Sequence, residues 1–372
     1  MSADSRPRIA AIDRLRGLVM VLMASDHAAH FYYHDHVILD TAMFPRWNQP
    51  LPAIPFVHRW LSHLCAPTFV FLAGTSIALA AARRGADEQR AFDRDLLLRG
   101  LLLLLLEVVF ISPLWAPQLE AALMMQVLFA LGVGMILMTV LRRLPTAICA
   151  LLGIGLAVGS EALAAMPRSV LTSWFVTGQM RSDVAVVYPV LPWLSAMLLG
   201  HAYGRHLAGK GRAIRPLLCG GAIALAVWVV VKLADGYGNM GMKGIHDSPL
   251  RWLQVSKYPP SLAYLGLELG LGAVLLAVFF AWDRRKSATH DRNAPLLVLG
   301  QTALFFYVLH IALIEASGRL LMSSGYEPSE DPGSGLARNW AVVAIVVVLG
   351  VVFGRAFRDF RARHATSLLR LI

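Results

Sequence analysis

Charged residues are scarce in this sequence of 372 residues, and cysteines are scarcer still. Asp, Glu, Lys and Arg make up 15% of the chain, whereas an ordinary soluble domain has about 25%. The three cysteines, Cys65, Cys149 and Cys219, lie in apolar stretches at spacings that match neither a zinc site nor a disulfide framework. The sequence therefore excludes an ordinary cytosolic domain and a disulfide-stabilised one, and it predicts that the cysteines are buried as small hydrophobic residues.

Long apolar runs are what the chain has instead. Hydrophobic residues make up 57% of it and its mean hydropathy is +0.60, which excludes a disordered protein. The runs reach about 20 residues, the length of a transmembrane helix, and they lack the alternation of a β-barrel strand. We predict an all-α polytopic transmembrane helical bundle, a single domain over residues 1–372 with a basic cytoplasmic tail at about 355–372. The ten predicted spans are residues 11–31, 56–82, 95–112, 120–141, 145–165, 188–207, 213–233, 261–283, 294–316 and 338–357.

Positive charge is distributed unevenly between the loops of this predicted bundle. With a cytoplasmic N-terminus, 24 of the 34 Lys and Arg residues fall in cytoplasmic segments. The bias follows the positive-inside rule, so we predict that both termini are cytoplasmic and that the net charge of +11 reflects topology, with no nucleic-acid partner. The first apolar segment lacks a small-residue cleavage pattern, so we interpret it as the first span rather than a signal peptide. The basic residues assigned to the opposite side are Arg46, Arg59, Arg168, Arg181, Lys243, Arg251, Lys257, Arg319 and Arg338.

Five titratable residues lie inside predicted spans, where an unpaired charge is costly. At a rise of about 1.5 Å per residue they all fall within roughly 6 to 11 Å of the outer ends of their spans. A layer of histidines and carboxylates suits proton abstraction, because histidine titrates near neutral pH. The alternative is that each histidine only forms an interhelical hydrogen bond. The five residues are His27, His63, Glu107, Glu268 and His310.

The outer end of the first span adds further polar residues. Asp26 and His27 are adjacent, so their side chains point about 100° apart on a helix and need partners from other helices. His30 shares a face with His27 if the helix continues that far. A histidine-rich tract follows, with His34, Asp35 and His36, but its spacing matches no zinc signature. We therefore predict no metal.

The predicted cytoplasmic ends carry arginines that could bind a phosphorylated ligand. Asp13 and Arg16 are three residues apart and can pair across one helical turn. Arg8 precedes them, and Arg94 and Arg99 open the third span. Guanidinium groups bind phosphates through two parallel hydrogen bonds, as coenzyme A would require. The alternative for the arginines is plain topology, with side chains that snorkel to the interface.

The first span and four later segments match a pattern found in one family of membrane enzymes. Together they resemble the bacterial relatives of heparan-α-glucosaminide N-acetyltransferase, within the transmembrane acyltransferase group that includes the O-antigen and polysaccharide acyltransferases. The segments are RIAAIDRLRGLVMVLMASDHAAHFYY (8–33), HLCAPTFVFLAG (63–74), VYPVLPWLSAMLLGHAYGR (187–205), SKYPPSLAYLGLELG (256–270) and LGQTALFFYVLH (299–310).

The resemblance suggests which residue is the base. The polysaccharide acyltransferases have an Asp in the first helix, an Arg three residues later and a His fourteen residues after the Asp. Asp13, Arg16 and His27 reproduce this spacing. In the lysosomal enzyme Asn takes the place of His27, and the proposed catalytic His follows the first helix, where His34 and His36 are the nearest residues here. The choice between His27 and that pair stays open, with His27 as the leading candidate.

The resemblance implies a membrane-embedded acyltransferase that moves an acyl group, acetyl in the simplest case, from cytoplasmic acetyl-CoA to a sugar or glycan at the outer face. It implies the bacterial inner membrane as the location, and it leaves the oligomeric state open, a homodimer included. The predicted catalytic residues are His27, Asp26, His63, His310 and His30. The predicted donor-binding residues are Arg8, Asp13, Arg16, Arg94 and Arg99, and the predicted acceptor-binding residues are Glu107, Trp193, Lys257, Tyr258 and Glu268.

A proton-coupled transporter of a small solute is the rival function. Titratable residues at one depth also suit a proton relay. Against it, the sequence shows no pair of helices broken by Gly or Pro at corresponding positions in two halves.

Overall fold

The computed structural model describes residues 9–32, 41–43, 52–167, 169–210, 213–243, 248–285, 291–328 and 331–364. The described chain is overwhelmingly helical, which confirms the predicted all-α fold class. Its helices are α1 (Ala10–Tyr32), α2 (Ala53–Ser62), α3 (Cys65–Ala81), α4 (Gln89–Leu106), α5 (Ser112–Trp115), α6 (Val127–Leu141), α7 (Thr146–Ala164), α8 (Val170–Thr172), α9 (Val190–Lys210), α10 (Ile214–Ala234), α11 (Pro249–Leu253), α12 (Leu262–Arg285), α13 (Pro295–Gln301), α14 (Ala303–Ser323) and α15 (Pro332–Arg363).

Seven helices in the described ranges are long and apolar enough to cross a bilayer. Each predicted span has a helical counterpart, but α6 has only 15 residues and α1 carries four charged residues. The count of ten spans and the cytoplasmic termini therefore stay predictions. The seven segments are Ala53–Ala81, Gln89–Trp115, Thr146–Ala164, Ile214–Ala234, Leu262–Arg285, Ala303–Ser323 and Pro332–Arg363.

Three predicted spans differ from the observed elements. The predicted span 56–82 is divided between α2 and α3 by a turn at residues 63–64. The predicted span 120–141 begins too early, because Leu123–Met125 forms a strand, β1, that pairs in parallel with β2 (Val184–Val186) before α6 begins at Val127. The predicted span 294–316 is divided, because the backbone leaves the α-helical conformation at Thr302 between α13 and α14.

The chain divides into two compact units. The central unit contains residues 41–43 and the described part of 66–277, and the terminal unit contains the described parts of 9–32, 52–65 and 278–364. In the central unit, Met125, Phe129, Val186 and Val190 form a buried cluster behind the paired strands. In the terminal unit, α1 packs against α2, α13, α14 and α15, so most of its residues are buried.

Two glycines bring α1 and α13 into direct backbone contact. A Cβ added at Gly17 would overlap the backbone of Leu296, and one added at Gly300 would overlap the backbone of Asp13. Small residues at helix interfaces in membranes allow such close approach, which increases van der Waals contact. This contact fixes the position of α13 on α1, and α13 leads directly into α14.

We expect Gly300→Val to lower the unfolding free energy by about 3 kcal/mol, because the new side chain has no space against the α1 backbone. Gly155→Val is the matched control: Gly155 is also helical, and nothing lies within 4 Å of a Cβ added there. Thermal unfolding of both variants in detergent measures the difference. Equal unfolding midpoints for the two variants would show that the α1–α13 contact does not limit the size of the residue at position 300.

Candidate active site

Three consecutive residues of α1, Ser25, Asp26 and His27, contact three different helices of the terminal unit. Successive helical side chains point about 100° apart, so such a tripeptide reaches in three directions. The helix itself continues to Tyr32, which meets the condition under which His30 shares a face with His27.

His27 meets His310 of α14, a residue 283 positions away in the sequence. Nδ1 of His27 lies 2.9 Å from Nε2 of His310. The two rings are nearly parallel, at 10°, with centroids 5.1 Å apart, and Tyr307 lies edge-on to both. His310 is fully buried, whereas His27 is partly exposed. Two of the predicted catalytic histidines therefore form a pair.

The hydrogen bonds of this pair determine where its protons lie. Nδ1 of His310 is 2.8 Å from the carbonyl oxygen of Phe306, which can only accept, so that nitrogen carries the proton. In the neutral imidazole Nε2 of His310 is then an acceptor, and Nδ1 of His27 must donate to it. Nε2 of His27 therefore holds a lone pair. This is the atom that a general base needs.

Asp26 is bound by α2. Nη1 of Arg59 lies 2.5 Å from Oδ2 of Asp26, and the hydroxyl of Ser62 donates to Oδ1 at 2.7 Å. Both members of the ion pair are buried, with 6% of the Arg59 side chain and 10% of the Asp26 side chain exposed. Asp26 is thus paired with residues of another helix, as expected from its position next to His27. Its contacts hold α1 and α2 together.

Ser25 belongs to a third buried group, with His58 of α2 and Asn339 of α15. The Ser25 hydroxyl lies 2.7 Å from Nε2 of His58, and the Asn339 amide donates to the same hydroxyl at 3.0 Å. A Ser–His pair of this length also occurs in nucleophilic catalysis. Ser25 is two residues from His27, about 200° around the helix, and it is 1% exposed. We therefore assign this group to the packing of α1, α2 and α15.

The other predicted residues of the terminal unit lie on the same helices. His63 is 1% exposed and lies at the C-terminal end of α2, where its N–H bonds to the carbonyls of Arg59 and Trp60. His30 lies against Phe31 in the last turn of α1. His34 and His36 lie outside the described residues, so the choice between them and His27 is not tested.

Glu107 caps the N-terminus of α6. Its Oε1 accepts the N–H of Gln126 and its Oε2 accepts the N–H of Phe129, each at 3.0 Å. The first N–H groups of a helix have no partners within the helix, and a carboxylate there is stabilised by the helix dipole. Helix capping accounts for this buried carboxylate without a substrate, so its acceptor-binding role stays a prediction.

The other predicted acceptor residues belong to the central unit and are surrounded by aromatic rings. The rings of Tyr188 and Trp193 stack at 4.7 Å, Tyr258 packs edge-on against Tyr188, and Nζ of Lys257 lies 5.3 Å from the Tyr258 ring centroid. Glu268, 1% exposed, interacts electrostatically with Lys257.

Two buried polar atoms of this aromatic cluster, Nε1 of Trp193 and Oε1 of Glu268, have no hydrogen-bond partner among the described residues. One is a donor and the other an acceptor when ionised. Buried polar groups are normally satisfied, so these two atoms point to a ligand with hydroxyl or amine groups.

The predicted donor-binding residues divide into buried and exposed ones. Arg16 donates through Nη1 to Oδ1 of Asp13 at 3.1 Å and to the carbonyl of Gly300 at 3.2 Å, which confirms that Asp13 and Arg16 pair across one turn. Oδ2 of Asp13 is buried without a hydrogen-bond partner among the described residues. Arg94 and Arg99 are exposed, and Arg8 lies outside the described residues.

Sequence reasoning missed the partners of Ser25 and Asp26. His58 and Arg59 are adjacent polar residues in an apolar helix, which is a recognisable signal, but Arg59 was assigned with the charges of the outer side rather than to Asp26. Asn339 is a single amide more than 300 residues from Ser25, and no local pattern connects the two. As for metals, no cluster of three or more His, Cys, Asp or Glu side chains occurs within the described ranges. The prediction that the protein binds no metal therefore stays untested.

Comparison with known proteins gives one match. Residues 8–231, more than half of the chain, match the family model described as "Heparan-alpha-glucosaminide N-acetyltransferase, catalytic". The matched region includes Asp13, Arg16, Asp26 and His27, and it ends before His310. No curated protein matches the chain.

Proposed function

The chain belongs to the heparan-α-glucosaminide N-acetyltransferase catalytic family, and on this premise we propose that it transfers an acetyl group from cytoplasmic acetyl-CoA to an amine or hydroxyl of a sugar at the outer face. Family membership and the apolar helices together identify a membrane enzyme of the acyltransferase type. The donor, the acceptor and their sides of the membrane are our proposal.

The His27–His310 pair is the observation that carries this proposal. An acceptor amine or hydroxyl must lose a proton to attack a thioester, and Nε2 of His27 carries the lone pair that can take it. Once protonated, His27 still donates from Nδ1 to Nε2 of His310, so the imidazolium keeps its orientation. His310 is a positioning residue here, because it acts through His27 and is itself held by the carbonyl of Phe306.

The transfer step balances with His27 as its general base. Nε2 of His27 takes the acceptor proton while the new C–N or C–O bond forms and the C–S bond of the thioester breaks. The coenzyme A thiolate takes up a proton in turn. Acetyl-CoA supplies the activated acyl group when bound.

The donor would be held at the opposite end of α1 from His27. Arg16 offers a guanidinium for phosphate, and the unsatisfied Oδ2 of Asp13 offers a buried acceptor for a hydroxyl or an N–H group. These residues fit a phosphorylated ligand with polar groups. Arg16 precedes His27 by eleven residues, about 16 Å along the helix, a distance that calls for a long flexible arm such as phosphopantetheine.

We propose that the aromatic cluster of the central unit binds a sugar. Aromatic faces with a few convergent polar groups are typical of small-molecule sites. Trp193, Tyr188 and Tyr258 supply the faces, and Lys257 and Glu268 supply the charges.

Acetyl transfer by the purified protein in proteoliposomes tests the function. Radiolabelled acetyl-CoA is supplied on one side and glucosamine on the other, in both arrangements, with N-acetylglucosamine as the matched acceptor whose amine is blocked. We expect labelled product in one arrangement and preferentially from the free amine. Solute uptake without consumption of the thioester would instead support the transporter, and neither activity would refute both functions.

A further inference from the structure

Glu315, a buried carboxylate of α14, takes no part in the proposed acetyl transfer by His27. Its side chain is 2% exposed, and its Oε2 accepts a hydrogen bond from Nε of Arg319 at 3.1 Å. The Arg319 side chain is 50% exposed, so the pair reaches from the interior of the terminal unit to its surface. A buried carboxylate in a membrane helix is costly and is a functional candidate by default.

This ion pair does little for the fold. Glu315 and Arg319 are four residues apart on one helix, so their contact ties α14 only to itself. A structural role for the pair therefore gives no reason to bury a carboxylate there.

The Glu315–Arg319 pair lies on α14 beside the face of α1 that carries His27. Phe31 packs on Gly318 of α14, and His30 lies within electrostatic range of Arg319. His30 is three residues beyond His27, about 4.5 Å along α1, and Glu315 is five residues beyond His310, about 7.5 Å along α14. Titratable groups thus follow one another along the α1–α14 interface, from the histidine pair to the surface.

We propose that His30, Glu315 and Arg319 form the route by which the proton collected by His27 leaves the site. This inference rests on the proposed function, because only the transfer reaction delivers that proton. His30 relays it from His27, Glu315 receives it from His30, and Arg319 holds the carboxylate at the surface end of the route.

The stoichiometry explains why such a route is needed. When an amine acceptor enters as an ammonium ion, it loses two protons as the C–N bond forms, and the coenzyme A thiolate takes up one. One net proton is released in each turnover. An exit along α14 leads that proton away from His27, so that the base is restored for the next turnover.

Other polar groups at this end of the terminal unit set the electrostatics of the route. On α1 they are His27, His30 and Tyr32, and on α14 they are His310, Glu315 and Arg319. The ring of Tyr32 packs edge-on against that of Tyr326, and Arg338 of α15 donates to the hydroxyl of Tyr326 at 3.3 Å. Glu315 and Asp26 are buried acidic residues at this end, and Asp26 is held by Arg59 of α2.

We expect Glu315→Gln to lower kcat for glucosamine acetylation at least about tenfold with little change in KM, because proton removal becomes slow. Added imidazole should restore much of the loss, since a small buffer can carry the proton directly. The pH profile of kcat should change as well. Steady-state rates in proteoliposomes over a range of pH and imidazole concentration measure all three effects.

Ser317→Ala is the matched control, because it removes hydrogen bonds from a neighbouring polar side chain of α14 to the carbonyls of Leu313 and Ile314 without removing a titratable group. It should change kcat less than twofold and show no imidazole rescue. A Glu315→Gln variant with the wild-type rate overturns the route, and so does a slow variant that imidazole does not rescue. A wild-type protein that transfers no acetyl group overturns the proposed function itself, so the two failures are distinguishable.

Discussion

Replacing His27 with alanine should lower kcat for acetyl transfer by about 10²- to 10⁴-fold, the contribution of a general base. The variant loses the Nε2 lone pair and leaves Nε2 of His310 without its donor. KM for acetyl-CoA should change little, because the proposed donor residues Asp13 and Arg16 lie at the other end of α1. Initial rates with radiolabelled acetyl-CoA and glucosamine measure both quantities.

His364→Ala is the matched control for this loss. Like His310, His364 has its Nδ1 close to the carbonyl four residues earlier, that of Phe360, at 2.9 Å, but it is exposed near the end of α15. This variant should keep the wild-type rate. If His27→Ala also kept it, the base would lie elsewhere, and His34 and His36 would be the next residues to replace.

Helical periodicity predicted the directions of the site residues better than their partners. The spacing of Asp13 and Arg16 predicted a pair across one turn, and the adjacency of Asp26 and His27 required partners from other helices. Both expectations are confirmed. These inferences succeed because they use only the geometry of one helix, which is the same wherever that helix packs.

The partners themselves depend on tertiary packing, which no local pattern encodes. In the sequence, Arg59 is only a charge near the end of a predicted span. Its pairing with Asp26 becomes evident when α2 is placed against α1. Likewise, β1 lies in an apolar run that favours a helix, and its strand conformation depends on residues 182–187, some 60 positions later. Glu107 could be placed in the membrane from sequence, but its capping role depends on where α6 begins.

Arg59→Met should be strongly destabilising while leaving the His27–His310 pair itself unchanged in sequence. It removes one partner of a buried ion pair and leaves the Asp26 carboxylate uncompensated, which costs about 3 to 5 kcal/mol. The unfolding midpoint in detergent should fall accordingly. Acetyl transfer should fall as well, because the contacts of Asp26 fix the turn of α1 that carries His27.

A double variant separates the charge from the packing. Asp26→Leu combined with Arg59→Met replaces both charges by apolar groups, so it should recover most of the stability that Arg59→Met loses. Arg181→Met is the exposed counterpart: Arg181 pairs with Asp183 at 2.9 Å, but 66% of its side chain is exposed, so its loss should leave the unfolding midpoint unchanged. If the double variant were as unstable as Arg59→Met, the buried charge of Asp26 would not be the cause of the loss. The Arg59–Asp26 pair would then act through the shape of its side chains, and the orientation of His27 would depend on packing alone.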